Sequence, residues 1–69
     1  MRNDIFLKEM GAKIRAMRKK NDMSLQSLAD AIRMNISNLS FIETGKTNPH
    51  LLTLLSIPDI LEVDVKDLL

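Results

Sequence analysis

The chain has 69 residues, 45% apolar and 28% charged, a composition of a small globular domain rather than a disordered segment. It has no cysteine and a single histidine, His50, which excludes a disulfide framework and a Cys/His metal cluster, and its two aromatic residues, Phe6 and Phe41, are too few for a single-strand stacking platform. The net charge of +1 is unevenly spread: residues 1–34 hold eight Lys/Arg against four Asp/Glu, and residues 35–69 hold two against five.

In chain order, the first ten residues carry Arg2, Asp4, Lys8 and Glu9, which interrupt any apolar run of the kind a secretion signal needs. No segment is apolar for long enough to span a membrane, so a cytoplasmic protein without a membrane partner is expected. A first helix starts near Asn3 or Asp4, either of which can cap it. Phe6, Met10, Ile14 and Met17 recur at steps of four and three along it. It holds the densest basic run, Lys13, Arg15, Arg18, Lys19 and Lys20, and ends at Asn21-Asp22. Such a run is either a solvated helix face or a patch facing phosphates, and charge alone does not decide.

Ser24 is a good N-cap for a second helix, whose apolar face is Leu25, Leu28, Ala29 and Ile32. Asn35 can cap a third helix containing Ile36, Leu39 and Ile42, with Gly45 placed to end it. Asn48-Pro49 reads as N-cap and first residue of a fourth helix with an inner stripe of Leu51, Leu54 and Leu55. Pro58 should break or kink that helix near Ser56-Ile57, because it has no amide hydrogen and crowds the carbonyl of Leu54. Asp64 can cap a short last helix, Val65 to Leu69. The fold class is therefore all-α, five short helices in one domain over residues 1–69.

The strongest local signal runs from Leu25 to Ile42. Two short helices are joined by about four residues, with small Ala29 where they must cross, Leu39 and Ile42 pointing back, and Met34 filling the turn. This is helix-turn-helix spacing, in which the second helix can enter a major groove.

With these residues in place, the sequence resembles the phage-repressor, Cro/Xre-type family. The matching stretches are Ile14-Arg15-Ala16-Met17-Arg18, Met23-Ser24, Leu28-Ala29, Leu39-Ser40, Ile42-Glu43-Thr44-Gly45-Lys46 and Asn48-Pro49. The tail matches too, through Leu51, Leu54-Leu55, Ile57, Leu61 to Val65 and Leu68-Leu69. The resemblance implies a lambda-repressor-like five-helix domain, double-stranded operator DNA as partner, and a homodimer on a two-fold site. It also implies that Arg18 pairs with Glu43, tying the first helix to the third.

By that resemblance the DNA-facing set is Ser24, Leu25, Arg33, Asn35, Ile36, Ser37, Asn38, Ser40, Phe41, Thr44, Lys46 and Thr47. Ile36 and Phe41 would meet thymine methyls, and Ser37 and Ser40 base edges. Ser24, Asn38, Thr44, Lys46 and Thr47 would hold phosphates, and Arg33 would clamp one at the turn. The chain departs from the family where glutamine usually opens the second helix, here Leu25, and where glycine usually makes the turn, here Arg33. Its reading face is also unusual, with two apolar side chains and three small hydroxyls where amides and guanidinium groups are common. A second reading stays open: Ile36 and Phe41 fold into the core, or form an apolar contact for another protein in an interaction module without DNA affinity.

Leu52, Ile60, Leu68 and Leu69 exceed what a small inner face can bury and are the expected dimer interface, with Leu54, Leu55 and Leu61 in the core. No nucleophile–base pair, paired carboxylates or glycine-rich phosphate loop is evident, so neither enzyme activity nor a cofactor or metal is expected. His50 beside Pro49 most simply flanks a helix start. The functional expectation is a transcriptional regulator of repressor, controller or antitoxin type.

Overall fold

The computed structural model describes residues 2–69, with side chains from Asp4 onward. Four α-helices follow one another: α1 (Arg2–Lys20), α2 (Leu25–Ala31), α3 (Ile36–Glu43) and α4 (Leu51–Leu61). A single 3-10 turn, Val65–Asp67, closes the chain in place of the expected fifth α-helix. Its start is held by the Asp64 amide, which donates to Asp67 Oδ2 at 3.1 Å. The described residues contain no strand, so the fold is all-α as read from the sequence.

All four α-helices stop in the same way. One residue enters the left-handed region: Asp22 (φ 56°), Arg33 (57°), Gly45 (74°) and Glu62 (59°). Its amide and the next one then turn back onto helix carbonyls, as in Asp22 N to Lys19 O at 3.0 Å and Met23 N to Arg18 O at 3.1 Å. The same pair of bonds recurs from Arg33 and Met34, Gly45 and Lys46, and Glu62 and Val63, satisfying carbonyls that the helix end would leave bare. After three of the four turns the next residue, Met23, Met34 or Val63, packs against the core and sets the exit direction. Only Gly45 adopts this conformation without a Cβ penalty.

One core joins the four α-helices and the residue after the 3-10 turn: Met10 and Ile14 from α1, Leu28 and Ala29 from α2, Leu39 and Ile42 from α3, Ile57 and Leu61 from α4, and Leu68. The inward stripe of α1 runs Leu7, Met10, Ile14 and Met17, whereas Phe6 is exposed. One residue's shift is enough to rotate a side chain by 100° around the helix. Neither Asn3 nor Asp4 caps α1, because the helix has already begun at Arg2; Asp4 sits in the first turn, where an acid complements the helix dipole. The side chain of Asn3 lies outside the described set.

α1 lies closest to α3 at two glycines. A Cβ on Gly11 would collide with the carbonyl oxygens of Ile42 and Glu43, and one on Gly45 would fall 2.6 Å from the Cα of Lys8. At the far end of α1, Asn21 Nδ2 donates to Met17 O at 2.9 Å and to Leu61 O at 3.4 Å, linking the ends of α1 and α4.

α4 departs most from the sequence expectation. It starts two residues late, with His50 at the N-cap and no side-chain cap, so Asn48-Pro49 precedes the helix. Its buried residues are Ile57, Pro58 and Leu61, with Leu54 half-buried, while Leu51 and Leu55 are exposed rather than core. The helix does not break at Ser56-Ile57. Pro58 lies in the last turn, so only the bond to Leu54 O is lost, and its ring is buried. Beyond it the Val63 amide accepts the task of closing the helix by donating to Pro58 O at 2.9 Å.

Leu68 is 0% exposed and belongs to the core, which removes it from the expected dimer interface. The 3-10 turn folds it inward, and Lys13 Nζ holds the following Leu69 carbonyl at 3.2 Å. Leu52, Ile60 and Leu69 stay exposed.

Candidate nucleic-acid interface

α2 and α3 have seven and eight residues, too short to be stable alone, so their caps and their packing hold them. Ser24 Oγ accepts the Ser27 amide at 3.0 Å, with the Ser27 hydroxyl 2.9 Å away. Asn35 Oδ1 accepts the Ser37 amide at 2.8 Å. These bonds occupy the Ser24 hydroxyl and the Asn35 carbonyl oxygen, but leave the Leu25 amide and the Asn35 Nδ2 hydrogens without a partner among the described residues. Between the helices, left-handed Arg33 turns the chain, and half-buried Met34 packs on the core beneath it.

α3 buries Leu39, Ile42 and Glu43. At 100° per residue the opposite side of the helix carries Ser37, Phe41 and Thr44, with Ser40 and Ile36 along one edge and Asn38 along the other. Phe41 is 46% exposed and Ile36 38%, so neither folds into the core. Ser37, Asn38 and Ser40 side chains make no hydrogen bond within the described residues, and Ser40 is half-buried. Thr44 differs: its hydroxyl donates to Ser40 O at 2.9 Å, which leaves it an acceptor rather than a donor toward a ligand. Lys46 and Thr47 follow Gly45 and are both exposed, as is Arg33.

The third helix is locked to the first by charge. Arg18 Nε meets Glu43 Oε2 at 2.8 Å and Nη2 meets Oε1 at 3.0 Å, a two-pronged pair whose side chains are 9% and 5% exposed. The third prong, Nη1, donates to the Met23 carbonyl at 2.9 Å, just ahead of the α2 cap. One guanidinium thus fixes the end of α3 and the entry to α2 together. The hydrogen bond to Glu43 pushes the Arg18 guanidinium further above its already very basic range, outweighing the opposing effect of burial. On the guanidinium side the pair is therefore lost only in strong alkali.

Two shallow hollows flank α3. On one side Leu25, Ser40 and Thr44 share a hollow with Arg15, Arg18 and Glu43. On the other, Asn38, Phe41 and Thr47 share one with Met34, Asn48 and His50. Met34, from the turn after α2, and the segment after α3 thus line the same hollow. Three residues lining these two hollows, Arg15, Asn48 and His50, escape a reading based on the helix-turn-helix alone, since they come from α1 and the α3–α4 link. For Arg15 the signal was present: it stands one helical turn before Arg18, whose contact with Glu43 faces α3.

The comparisons with known proteins agree with this geometry. The chain is 35% identical over 57 residues to the HTH-type transcriptional regulator DdrOP3 of Deinococcus deserti, a match covering 83% of this chain and 44% of that protein. It therefore spans less than half the length of that relative. Among solved structures, the clp gene regulator ClgR of Corynebacterium glutamicum superposes with a TM-score of 0.87 at 28% identity, over 91% of this chain and 67% of that one. The restriction-modification controller protein C.AhdI of Aeromonas hydrophila gives 0.87 at 24% identity, over 91% and 96%, a likeness of fold. The family HTH_3, helix-turn-helix, matches residues 14–68, most of the chain, and the protein belongs to that family.

Proposed function

We propose that this chain binds double-stranded DNA in a sequence-selective way and regulates transcription, with α3 in the major groove. The observation that carries the reading is the outer face of α3: neutral, free of internal ion pairs among the described residues, and bordered by helix-start amides and by Lys46. Ile36, Ser37 and Phe41 lie nearest the bases, the two apolar groups against thymine methyls and the hydroxyl on a base edge. The Leu25 amide and Ser24 hold one strand, Asn35 and Asn38 meet the backbone beside the groove, and Lys46 and Thr47 hold the other strand. Arg33, exposed at the turn, clamps a phosphate. Ser40 and Thr44 contact the groove wall, Thr44 as an acceptor.

Two copies acting on a two-fold operator fit the second exposed feature. Leu52 is 78% exposed on α4, and Leu51, Leu55, Ile60 and Leu69 are exposed with it. An apolar surface of this kind on so small a domain favours a self-complementary contact. In such a dimer the two α3 helices would lie roughly 34 Å apart, one turn of DNA. No helix among the described residues is long and apolar enough to cross a membrane, and a cytoplasmic place beside the chromosome goes with this reading.

The test is selection of bound duplexes from a random pool, followed by titration of the winner at several salt concentrations. A recurring two-fold motif and a steep loss of affinity with salt are expected. Absence of any duplex binding at low salt would sink the reading and leave Ile36 and Phe41 as a contact for another protein.

A further inference from the structure

We infer that Arg15, on α1, is a backbone-phosphate anchor that extends the DNA contact beyond the two helices of the motif. The inference rests on the proposed DNA reading and adds a residue that the motif does not contain. Arg15 lines the hollow formed with Leu25, Ser40 and Thr44, the same residues that border one wall of the α3 face. It also lines the adjoining hollow with Ala12, Ala16 and Lys19, so it stands at the junction of the two. Two of the residues lining that second hollow, Ala12 and Ala16, are small.

The local charge decides what can occupy this position. Among the described residues the only carboxylate lining either hollow is Glu43, and both its oxygens are taken by Arg18. Arg15 is exposed and has no hydrogen bond or ion pair within the described residues. A guanidinium with five donors, beside a neutralised ion pair and with Lys19 lining the same hollow, calls for an external anion. A phosphate of the strand running past Leu25 and Thr44 supplies one. The whole chain carries a net charge of only +1, so the gain in affinity must come from local cations of this kind rather than from a general positive field.

The experiment compares Arg15→Gln, Arg15→Lys and Lys46→Ala with the unaltered chain, measuring affinity for the selected duplex and for an unrelated duplex across a salt series. For Arg15→Gln we expect an equal, severalfold weakening on both duplexes and a salt slope reduced by about one unit. Arg15→Lys should restore most of the slope, which a purely structural role would not require. The thermal midpoint should stay unchanged, since no internal partner is lost. If Arg15→Gln binds and titrates like the unaltered chain while Lys46→Ala loses slope, the anchor is wrong and the DNA reading stands. If the unaltered chain binds neither duplex, both fall together.

Discussion

At the scale of single residues, two features invite measurement. Arg18 and Glu43 are buried together, and Arg18 also holds the Met23 carbonyl. Removing either partner strands a charge in a desolvated place, so Arg18→Ala and Glu43→Ala should each cost about 2–4 kcal/mol. The double variant should cost clearly less than the sum, because the second change removes the charge that the first left unpaired. Additivity in a denaturant double-mutant cycle would show that the pair carries no coupling. Arg33 presents the opposite case. It is held at φ 57°, where a Cβ is strained, and its side chain is exposed. Arg33→Gly should raise stability by about 0.5–1 kcal/mol, the relief of strain exceeding the extra freedom glycine gives the unfolded chain. The same change should weaken duplex binding if Arg33 clamps a phosphate. A variant no more stable than the original would show that the turn absorbs the side chain without strain.

At the scale of elements, α3 separates two kinds of contact. Phe41 and Ser37 lie on its outermost side, whereas Lys46 follows the glycine that ends it. Phe41→Ala or Ser37→Ala should change which duplex is preferred in a repeat selection, with a discrimination loss of about 1–3 kcal/mol at the affected base pair. Lys46→Ala should weaken all duplexes alike and flatten the salt dependence by about one unit. If Phe41→Ala lowers affinity uniformly with no change in preference, the face positions the protein rather than reads sequence. α4 shows how position inside an element sets the effect of a residue. Pro58 would be disruptive in mid-helix, but in the last turn it costs one bond, to Leu54 O, and gains a buried ring.

At the scale of the whole molecule, the core uses apolar residues from all four α-helices yet leaves five leucines and isoleucines of the C-terminal third exposed: Leu51, Leu52, Leu55, Ile60 and Leu69. Leu52→Glu should leave the thermal midpoint of the isolated chain nearly unchanged, since Leu52 contributes nothing to the core. It should shift the chain toward monomer by sedimentation and weaken binding to a two-fold duplex far more than to a half-site. An unchanged mass distribution at micromolar concentration would show that this face is not where two copies meet.

Whatever depends on neighbours along the chain is legible in the amino-acid order. Ser24 and Asn35 as caps, Gly45 as a helix stop, the end of α1 at Asn21-Asp22 and the helix-turn-helix spacing are all local, because a cap or a left-handed turn needs only the next three or four residues. The pairing of Arg18 with Glu43 was legible only through the family resemblance, since 25 residues separate them. Tertiary structure alone decided which apolar residues of α4 turn inward. In Leu51 to Leu61 eight of eleven positions are Leu, Ile or Pro, so the periodicity has no unique phase, and Ile57 and Leu61 were selected by where α1 and α2 left space. The same holds for Leu68, indistinguishable from Leu69 in sequence but folded into the core by the 3-10 turn. For Arg15 the sequence offers only its place one helical turn before Arg18; that it stands beside α3 follows from the close approach at Gly11, where two backbones meet with no room for a single methyl group.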